Sequence, residues 1–344
     1  MSKIAVFICI ALPAAFASCA RNELITSPQP GAMFEVDAAG YSTNHFFVDT
    51  SYIAGFEANM LSSPPFAIVP GREIAKAEVW ISRAGIGHDP NEYPCIALTN
   101  LAYAPGGPSS FKPYGQADSP GIRESGIFVP LGSWEYALDG ALGLLSVYAP
   151  FTDQQTIGIS FLTNGIRPQQ GQFISDLPVD SLIARRPLFI CLVKPKILLT
   201  TGPAYTVAWR LMAKNFYPLG STWVGRSGLF VNIVRRAPGN PDQRALHGRS
   251  FLNILGLDLY DPNGLPVPGG DGRFDFLPGH SIDPEHGEIF FPYNRPFDTG
   301  IVESFAATGG TQPDPSYRLP RVYDTTASAA RAAAGATYVI QVWD

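Results

Sequence analysis

The chain has 344 residues, of which 46% are hydrophobic and 15% charged, and its formal net charge is −5. This length suffices for one large domain or two ordinary ones, each with an apolar core. The acidic balance argues against a nucleic-acid-binding protein, because no basic surface is available to neutralise phosphates. The 34 glycines and 32 prolines favour many short strands joined by turns over a helical architecture.

The first 19 residues predict an export signal. Lys3 is followed by the apolar run IAVFICIAL (4–12) and then by small residues, the order found in secretory signals. Two cleavage patterns overlap there. A-F-A at 15–17 fits a signal peptidase, whereas F-A-S-C, ending at Cys19, resembles a bacterial lipobox and makes Cys19 a lipidation candidate. A misplaced start inside a longer gene is the alternative explanation of this N-terminus.

Residues 20–33 are predicted to form a polar tether, and the remaining cysteines leave the redox state open. Cys95 and Cys191 could form one disulfide after export, or could remain as two buried thiols. The absence of a C-x-x-C pattern excludes a zinc or redox site of that type. Beyond the leader, no apolar run reaches the ~18 residues that a membrane-spanning helix needs.

Periodicity over residues 34–344 predicts a mainly β protein. Strand patterns occur in EIAKAEVWIS (73–82), YPCIALTNLA (93–102), TIGISFLTNG (156–165) and SGLFVNIVRR (227–236). One or two short helices are expected, over about 47–60 and about 326–334, the second ended by Gly335. We therefore expect multiple antiparallel hairpins that form sandwich-like or barrel-associated sheets.

Two segments share a hairpin plan, within similar units at about 122–163 and 270–304. Each has an Asp, a Gly four residues later, an apolar run and a closing Pro-Phe. The turn residues are Asp139 and Gly143 in the first, and Asp283, Pro284 and Gly287 in the second. Asp accepts backbone hydrogen bonds within such a turn, Pro fixes φ, and Gly adopts the left-handed conformation. The pattern predicts two copies of one hairpin, with an internal duplication as one explanation.

The polar cluster at 261–297 also contains candidate metal ligands. His280, Asp283 and His286 are spaced three apart, but Pro284 and Gly287 make the segment a turn in which the side chains need not converge. Oxygen-bearing side chains that could bind calcium occur at Asp261, Asn263, Asp271 and Asp275. Their spacing differs from that of an EF-hand, and capped turns are the favoured explanation.

No pattern of residues predicts catalysis. The segment GRSG (225–228) is not the G-x-S-x-G of a serine hydrolase, and there is no glycine-rich phosphate-binding loop. Paired carboxylates for glycoside hydrolysis stay open, because the sequence does not show which acids face each other. The five tryptophans fall mostly in apolar runs, which favours core packing over a sugar-stacking role. We therefore expect no enzyme, no cofactor and no small-molecule substrate.

Several motifs, taken in order, resemble the N-terminal domain of the SprA (Sov) family, the outer-membrane translocon of type IX secretion and gliding motility in Bacteroidota. These motifs are AEVWIS (77–82), WRLMAKNFYPLG (209–220), LGLDLYDPNG (255–264), GDGRFDFLPGHSIDPEHGEIFFPYNRPF (270–297) and YDTTASAARAAAGATYVI (323–340). Weaker similarities at 44–61 and 187–195 extend the resemblance over about residues 44–344.

The resemblance implies a non-enzymatic component or fragment of a secretion translocon. Its expected location is the outer membrane, facing periplasm or cell surface, and its expected partners are other translocon or outer-membrane proteins and secreted clients. The chain departs from the family at Ile81-Ser82-Arg83, where the family has Thr-Asn, and full-length members are several times longer. The alternative is an exported β-rich surface or carbohydrate-binding module, stabilised by calcium if Asp261, Asn263, Asp271 and Asp275 bind it.

Overall fold

The computed structural model describes residues 33–61, 72–84, 91–99, 121–165 and 169–343. The strands in these residues are β1 (Met33–Asp37), β2 (His45–Phe47), β3 (Ile74–Arg83), β4 (Tyr93–Leu98), β5 (Arg123–Pro130), β6 (Tyr136–Asp139), β7 (Leu144–Val147), β8 (Ile157–Thr163), β9 (Gln169–Gln170), β10 (Leu188–Lys194), β11 (Phe216–Pro218), β12 (Phe230–Arg236), β13 (Ala245–Leu246), β14 (Arg249–Ser250), β15 (Ile282–Asp283), β16 (Glu288–Phe290) and β17 (Thr337–Trp343). The mainly β class that the sequence predicts is confirmed.

The α-helices in the same residues are short. They are α1 (Thr50–Met60), α2 (Val179–Ile183), α3 (Pro203–Leu211), α4 (Phe251–Ile254), α5 (Ile301–Ala307), α6 (Arg321–Asp324) and α7 (Ala327–Ala332). Single 3₁₀ turns lie at Ile174–Asp176 and Pro315–Tyr317, and a wide π-type turn lies at Pro296–Gly300.

Two of the helices, α1 and α7, lie where the sequence predicts helices. Asp49 caps α1 by accepting a hydrogen bond from the Ser51 N–H at 2.8 Å. Thr326 caps α7 in the same way. The other five helices, α2 to α6, are additional to those predicted. Pro203 opens α3 directly after Gly202, whose φ of +98° turns the chain into the helix.

Five strands close into a small barrel. Their order is β10–β4–β5–β3–β8, and β8 pairs again with β10. The β10–β4 pair is parallel and the other pairs are antiparallel. Closure brings β8 close to β10 at Gly158, where a Cβ atom would lie 2.5 Å from Ile190 Cδ1. A closed sheet leaves no long unpaired edge on these strands.

The barrel strands are apolar on both faces. Trp80, Phe128 and Ile190 belong to a small separate cluster, whereas Val79, Ile159 and neighbours on the opposite face join the main core. A three-stranded antiparallel sheet, β1–β17–β12, also packs into the main core. The main core therefore connects the barrel with the rest of the described chain.

Two further three-stranded antiparallel sheets have the same strand arrangement. The first hairpin module consists of β2, β7 and β6, and the second hairpin module consists of β11, β16 and β15, each in that spatial order. In both, a short strand from elsewhere in the chain pairs with a hairpin. The two hairpins lie inside the segments 122–163 and 270–304.

The two cysteines of the body are free and buried. Cys95 lies on β4 and Cys191 on β10, and the parallel register pairs Cys95 with Leu188 and Cys191 with Leu98. The two thiols are thus offset along the sheet. Burial raises the pKa of both thiols, that of Cys191 to about 12. Of the two alternatives that the sequence leaves open, the structure contains two thiols.

No helix in the described ranges has both the length and the apolar character required to cross a membrane. The predicted export signal over residues 1–19, with Cys19, lies outside the described residues, as does the tether except for Met33, the first residue of β1.

Candidate functional site

The four calcium candidates are not brought together as one ligand set. Asp261 accepts two backbone N–H groups through Oδ1, at 2.8 and 2.9 Å, one of them from Asn263. Asp271 accepts one at 2.9 Å, and Asp275 accepts two through Oδ2, at 2.6 and 3.2 Å. Among the described residues, no three His, Cys, Asp or Glu side chains form a group that could hold a metal ion. Asp261 and Asp271 bond to the backbone of their own turns, and Asp275 bonds to the backbone at Leu259 and Tyr260.

The three candidate metal ligands spaced three residues apart do not converge, because His280 lies away from Asp283 and His286. His280 is buried and packs edge-on against Tyr260, with ring centroids 6.1 Å apart, and burial lowers its pKa. Asp283 Oδ2 and His286 Nδ1 remain in contact at 2.8 Å. The spacing therefore does not make a three-ligand site in this segment.

The two predicted turns have the same hydrogen bonds. Asp139 Oδ1 accepts the N–H groups two and three residues further on, each at 2.9 Å, and Asp283 Oδ1 does the same, each at 3.1 Å. Gly143 and Gly287 both adopt left-handed backbone conformations, with φ of +61° and +66°. Pro284 follows Asp283 and restricts φ there. Each predicted turn residue thus shapes the backbone.

The equivalence extends beyond the turns. In each module the residue before the short strand accepts a hydrogen bond from the hairpin, and the residue after it donates one to the turn glycine. The pairs are Val147 N–H to Asn44 O (2.9 Å) and Phe291 N–H to Asn215 O (3.0 Å), then Val48 N–H to Gly143 O (2.9 Å) and Leu219 N–H to Gly287 O (2.8 Å). This register makes His45 equivalent to Phe216, and Leu144 equivalent to Glu288.

A buried hydrogen-bond network joins the two modules at these equivalent positions. His45 Nε2 contacts Glu288 Oε2 at 2.8 Å, and His45 Nδ1 contacts Ser146 Oγ at 2.8 Å. The Ser42 hydroxyl donates to the other Glu288 oxygen, and the His45 ring stacks on Phe216 with centroids 4.0 Å apart. Although burial acts to raise the pKa of Glu288, the hydrogen bonds and the charge of His45 hold it below its ordinary value.

The network has the composition of a serine-hydrolase triad. Ser146 and Glu288 lie 101 and 243 residues from His45 in the chain, so no short sequence motif could reveal them. However, Ser146 lies within β7 with 8% of its surface exposed, and His45 is 1% exposed. Neither lines the cleft beside them. A nucleophile and base must reach the substrate, so this arrangement is suited to bracing the modules.

An open cleft of about 490 Å³, the inter-module cleft, lies beside this network. Its lining residues are Ser42, Thr43, Asn44, Val147, Tyr148, Ala149, Pro150, Phe151, Asp153, His286 and Glu288. The Tyr148 ring stacks flat on His286, with centroids 3.6 Å apart, and its hydroxyl donates to Asp283 Oδ2 at 3.3 Å. Burial and the nearby Asp283 carboxylate raise the pKa of Tyr148.

Two tryptophans do not follow the expectation of core packing. Trp80 and Trp343 are buried, and Trp209 is half-buried with its Nε1–H bonded to the Tyr323 carbonyl at 2.7 Å. Trp134 and Trp223, by contrast, are 82% and 75% exposed. The local sequence carries a signal for this: both stand among Gly and Ser, in LGSWE and GSTWVG.

No family model matches the chain, and no curated protein matches it.

Proposed function

We propose that the chain is an exported, non-enzymatic component of a type IX secretion and gliding-motility translocon of the SprA kind. In this role it is a rigid β-scaffold at the outer membrane that contacts other translocon proteins and secreted clients. The ordered motifs from AEVWIS to YDTTASAARAAAGATYVI support this assignment. The structural observation that carries it is the buried contact of His45 with Glu288, which joins two equivalent hairpin modules.

Rigidity is the property that this contact supports. A fully satisfied buried polar network specifies one arrangement of the groups around it, because any other arrangement leaves a buried polar atom without a partner. The closed barrel and the main core hold the remaining elements. Such a body presents a fixed surface to a partner, which lowers the entropy cost of binding.

The hydrogen bonds that the polar side chains make support the non-enzymatic part of the proposal. Asp139, Asp261 and Asp283 bond to backbone N–H groups of their turns. Ser146, which contacts His45, which in turn contacts Glu288, is buried in β7. The three aspartates would have to break these hydrogen bonds to act on a substrate, and burial keeps the Ser146 hydroxyl from reaching one.

Deletion of the gene in its host, followed by analysis of culture supernatant and cell fractions, tests the proposal. We expect the wild-type protein in the outer-membrane fraction, a loss of secreted proteins on deletion, and recovery on complementation. A cytoplasmic location, or unchanged secretion and motility after deletion, would overturn the proposed function.

A second candidate is an exported β-rich module that binds carbohydrate or another surface. One observation favours it: Trp134 and Trp223 have exposed rings, although apolar rings of this size are costly to leave in water. Both tryptophans lie in loops whose backbone bonds to residues in or next to the lining of the inter-module cleft.

A further inference from the structure

We propose that the inter-module cleft and four aromatic side chains beside it bind a linear polysaccharide that carries no acidic groups. The four side chains, here called the aromatic ledge, are Trp134, Tyr148, His286 and Trp223. This inference rests on the second candidate function, to which it adds a site and a ligand class, and it does not depend on the translocon role.

Two backbone hydrogen bonds and one ring contact link the segments that carry these four side chains. The Glu135 carbonyl, next to Trp134, accepts the Tyr148 N–H at 2.8 Å. Tyr148 stacks on His286. The Glu285 carbonyl, next to His286, accepts the Trp223 N–H at 3.2 Å. The four residues of the aromatic ledge therefore lie on linked segments, from the start of the first hairpin module to the loop that follows β11.

The two exposed tryptophans have fixed backbones. Trp223 has a φ of +57°, which is uncommon for a residue with a side chain, and the next residue, Val224, donates its N–H to the Pro284 carbonyl at 2.8 Å. Trp134 lies over Gly132, where a Cβ atom would be 2.9 Å from its ring. The Gly132 N–H donates to the Glu135 carboxylate at 2.7 Å. Because these loops are already ordered, little further entropy is lost when a ligand stacks on the rings.

The chemistry of the cleft suits a sugar chain. A pyranose ring presents an apolar C–H face, which packs on aromatic rings, and hydroxyl groups at its edge, which bond to carboxylates, hydroxyls and amides. The lining residues offer both kinds of contact, with Tyr148 and Phe151 beside Thr43, Asn44 and Asp153. Specific ligand sites combine apolar area with a few polar groups in this way.

The charge of the site selects against acidic sugars. Asp153 and Glu288 line the cleft, and Glu135, Asp283 and Glu285 lie along the aromatic ledge. The described lining residues include no lysine and no arginine. Lys194 lies beside the cleft, with its Nζ 5.8 Å from the centre of the Phe151 ring, but it donates to the carbonyls of Asp153 and Gln155. A polyanionic chain would therefore meet more carboxylates than cations, and a neutral chain would not be repelled.

Titration calorimetry of the purified chain tests the site. The probes are cellohexaose and N-acetylchitohexaose as neutral chains, hexamannuronate as an acidic chain, and cellobiose as a short one. We expect at least one neutral hexasaccharide to bind. If cellohexaose binds, its affinity should exceed that of cellobiose about tenfold or more, because a longer chain can stack on several rings at once. Hexamannuronate should bind at least about tenfold more weakly than the neutral hexasaccharide.

Two substitutions locate the binding. Trp134→Ala and Trp223→Ala should each weaken binding of the neutral hexasaccharide by about fivefold or more. Leu265→Ala, which removes another large exposed apolar side chain (62% exposed) from a loop elsewhere, should leave the affinity unchanged. All three side chains are exposed, so thermal unfolding should show that the variants remain folded.

The results separate this inference from the translocon proposal. Failure of both neutral hexasaccharides to bind, or wild-type affinity in both tryptophan variants, overturns the polysaccharide site. Preference for hexamannuronate overturns the ligand class. None of these results alters the secretion phenotype of the deletion strain, which tests the translocon role separately.

Discussion

Gly287 is the residue at which the second hairpin module leaves no space for a side chain. Its φ is +66°, and a Cβ atom there would lie 1.6 Å from the Ser221 carbonyl oxygen. We predict that Gly287→Ala lowers the free energy of unfolding by about 3 kcal/mol or more, from backbone strain and steric overlap together. Urea denaturation followed by circular dichroism measures this.

Gly264 provides the matched control. Its φ is +79°, but no heavy atom lies within 4 Å of the position of a Cβ. Gly264→Ala should therefore cost only the strain of the left-handed conformation, about 1 kcal/mol. Equal losses at the two glycines would show that the contact with Ser221 has no role.

Glu57, at the C-terminal half of α1, gives the protein a pH dependence of a definite sign. Burial and the nearby Glu303 carboxylate raise its pKa to about 7, against the hydrogen bond that it accepts from the Asn294 N–H. The unfolded chain releases this proton near pH ~4.3. Between pH about 4 and pH about 7 the folded state binds more protons than the unfolded state. The free energy of unfolding therefore falls as the pH rises.

We predict that Glu57→Gln removes the contribution of Glu57 to this fall in stability. The amide keeps an oxygen for the Asn294 N–H but does not ionise. Unfolding free energies at pH about 4.5, 6 and 8 should decline less in the variant than in the wild type. A shared decline remains, because burial also raises the pKa of Asp258 to about 7 and that of Asp275 to about 6. Glu303→Gln should weaken the decline, since it removes the neighbouring charge. A decline of equal size in Glu57→Gln would contradict the assignment.

The turn residues could be predicted from sequence because their chemistry is local. The turn is defined by an Asp, which accepts the backbone N–H groups two and three residues later, and by a Gly four residues after the Asp. No other part of the chain is needed for this pattern. Glu288 could not be predicted as a partner of His45, because 243 residues separate them and only the strand register brings them together. The exposure of Trp134 and Trp223 carried a local signal in their Gly- and Ser-rich surroundings.

At the scale of elements, the hairpin of the first module depends on the side chain that closes its turn. Asp139→Ala leaves two backbone N–H groups without their acceptor and should lower the free energy of unfolding by about 1 kcal/mol. Asp139→Asn keeps an acceptor oxygen and should lose less than about half of that. Thermal unfolding of the wild type and the two variants provides the measurement. A melting temperature of Asp139→Ala equal to that of the wild type would contradict a turn-closing role.

Strand positions were largely predictable from alternation, whereas their partners were not. The patterns at 73–82 and 227–236 correspond to β3 (Ile74–Arg83) and β12 (Phe230–Arg236). Closure of the barrel depends on β8 pairing with both β3 and β10, and on Gly158 allowing that approach. Long-range strand pairing of this kind depends on the packing of the whole chain. A local sequence pattern therefore does not predict it.

At the scale of the whole molecule, the brace between the modules predicts sensitivity to acid. The pKa of Glu288 lies below its ordinary value in the folded protein. Its contribution to stability is therefore present above the unfolded value of ~4.3 and is lost as the pH falls through the folded value. We expect the two modules to loosen below about pH 4. Hydrogen exchange of the Ser42 amide, which donates to the Phe216 carbonyl of the second module at 2.8 Å, would report this. Undiminished protection of this amide at lower pH would contradict a role for the charge.

The central claim is that the polar residues of the two modules hold the fold together, and a double-mutant cycle at His45 and Glu288 tests it most directly. The second module supplies Phe216 at the position of His45, and the first supplies Leu144 at the position of Glu288, so His45→Phe and Glu288→Leu install residues that the same register already accepts. Each single change should lower the free energy of unfolding by about 3 kcal/mol or more, because it leaves a buried polar side chain without its partner. The loss in the double variant should be smaller than the sum of the two single losses by about 2 kcal/mol or more. Additive losses, with no coupling between the two positions, would contradict the account.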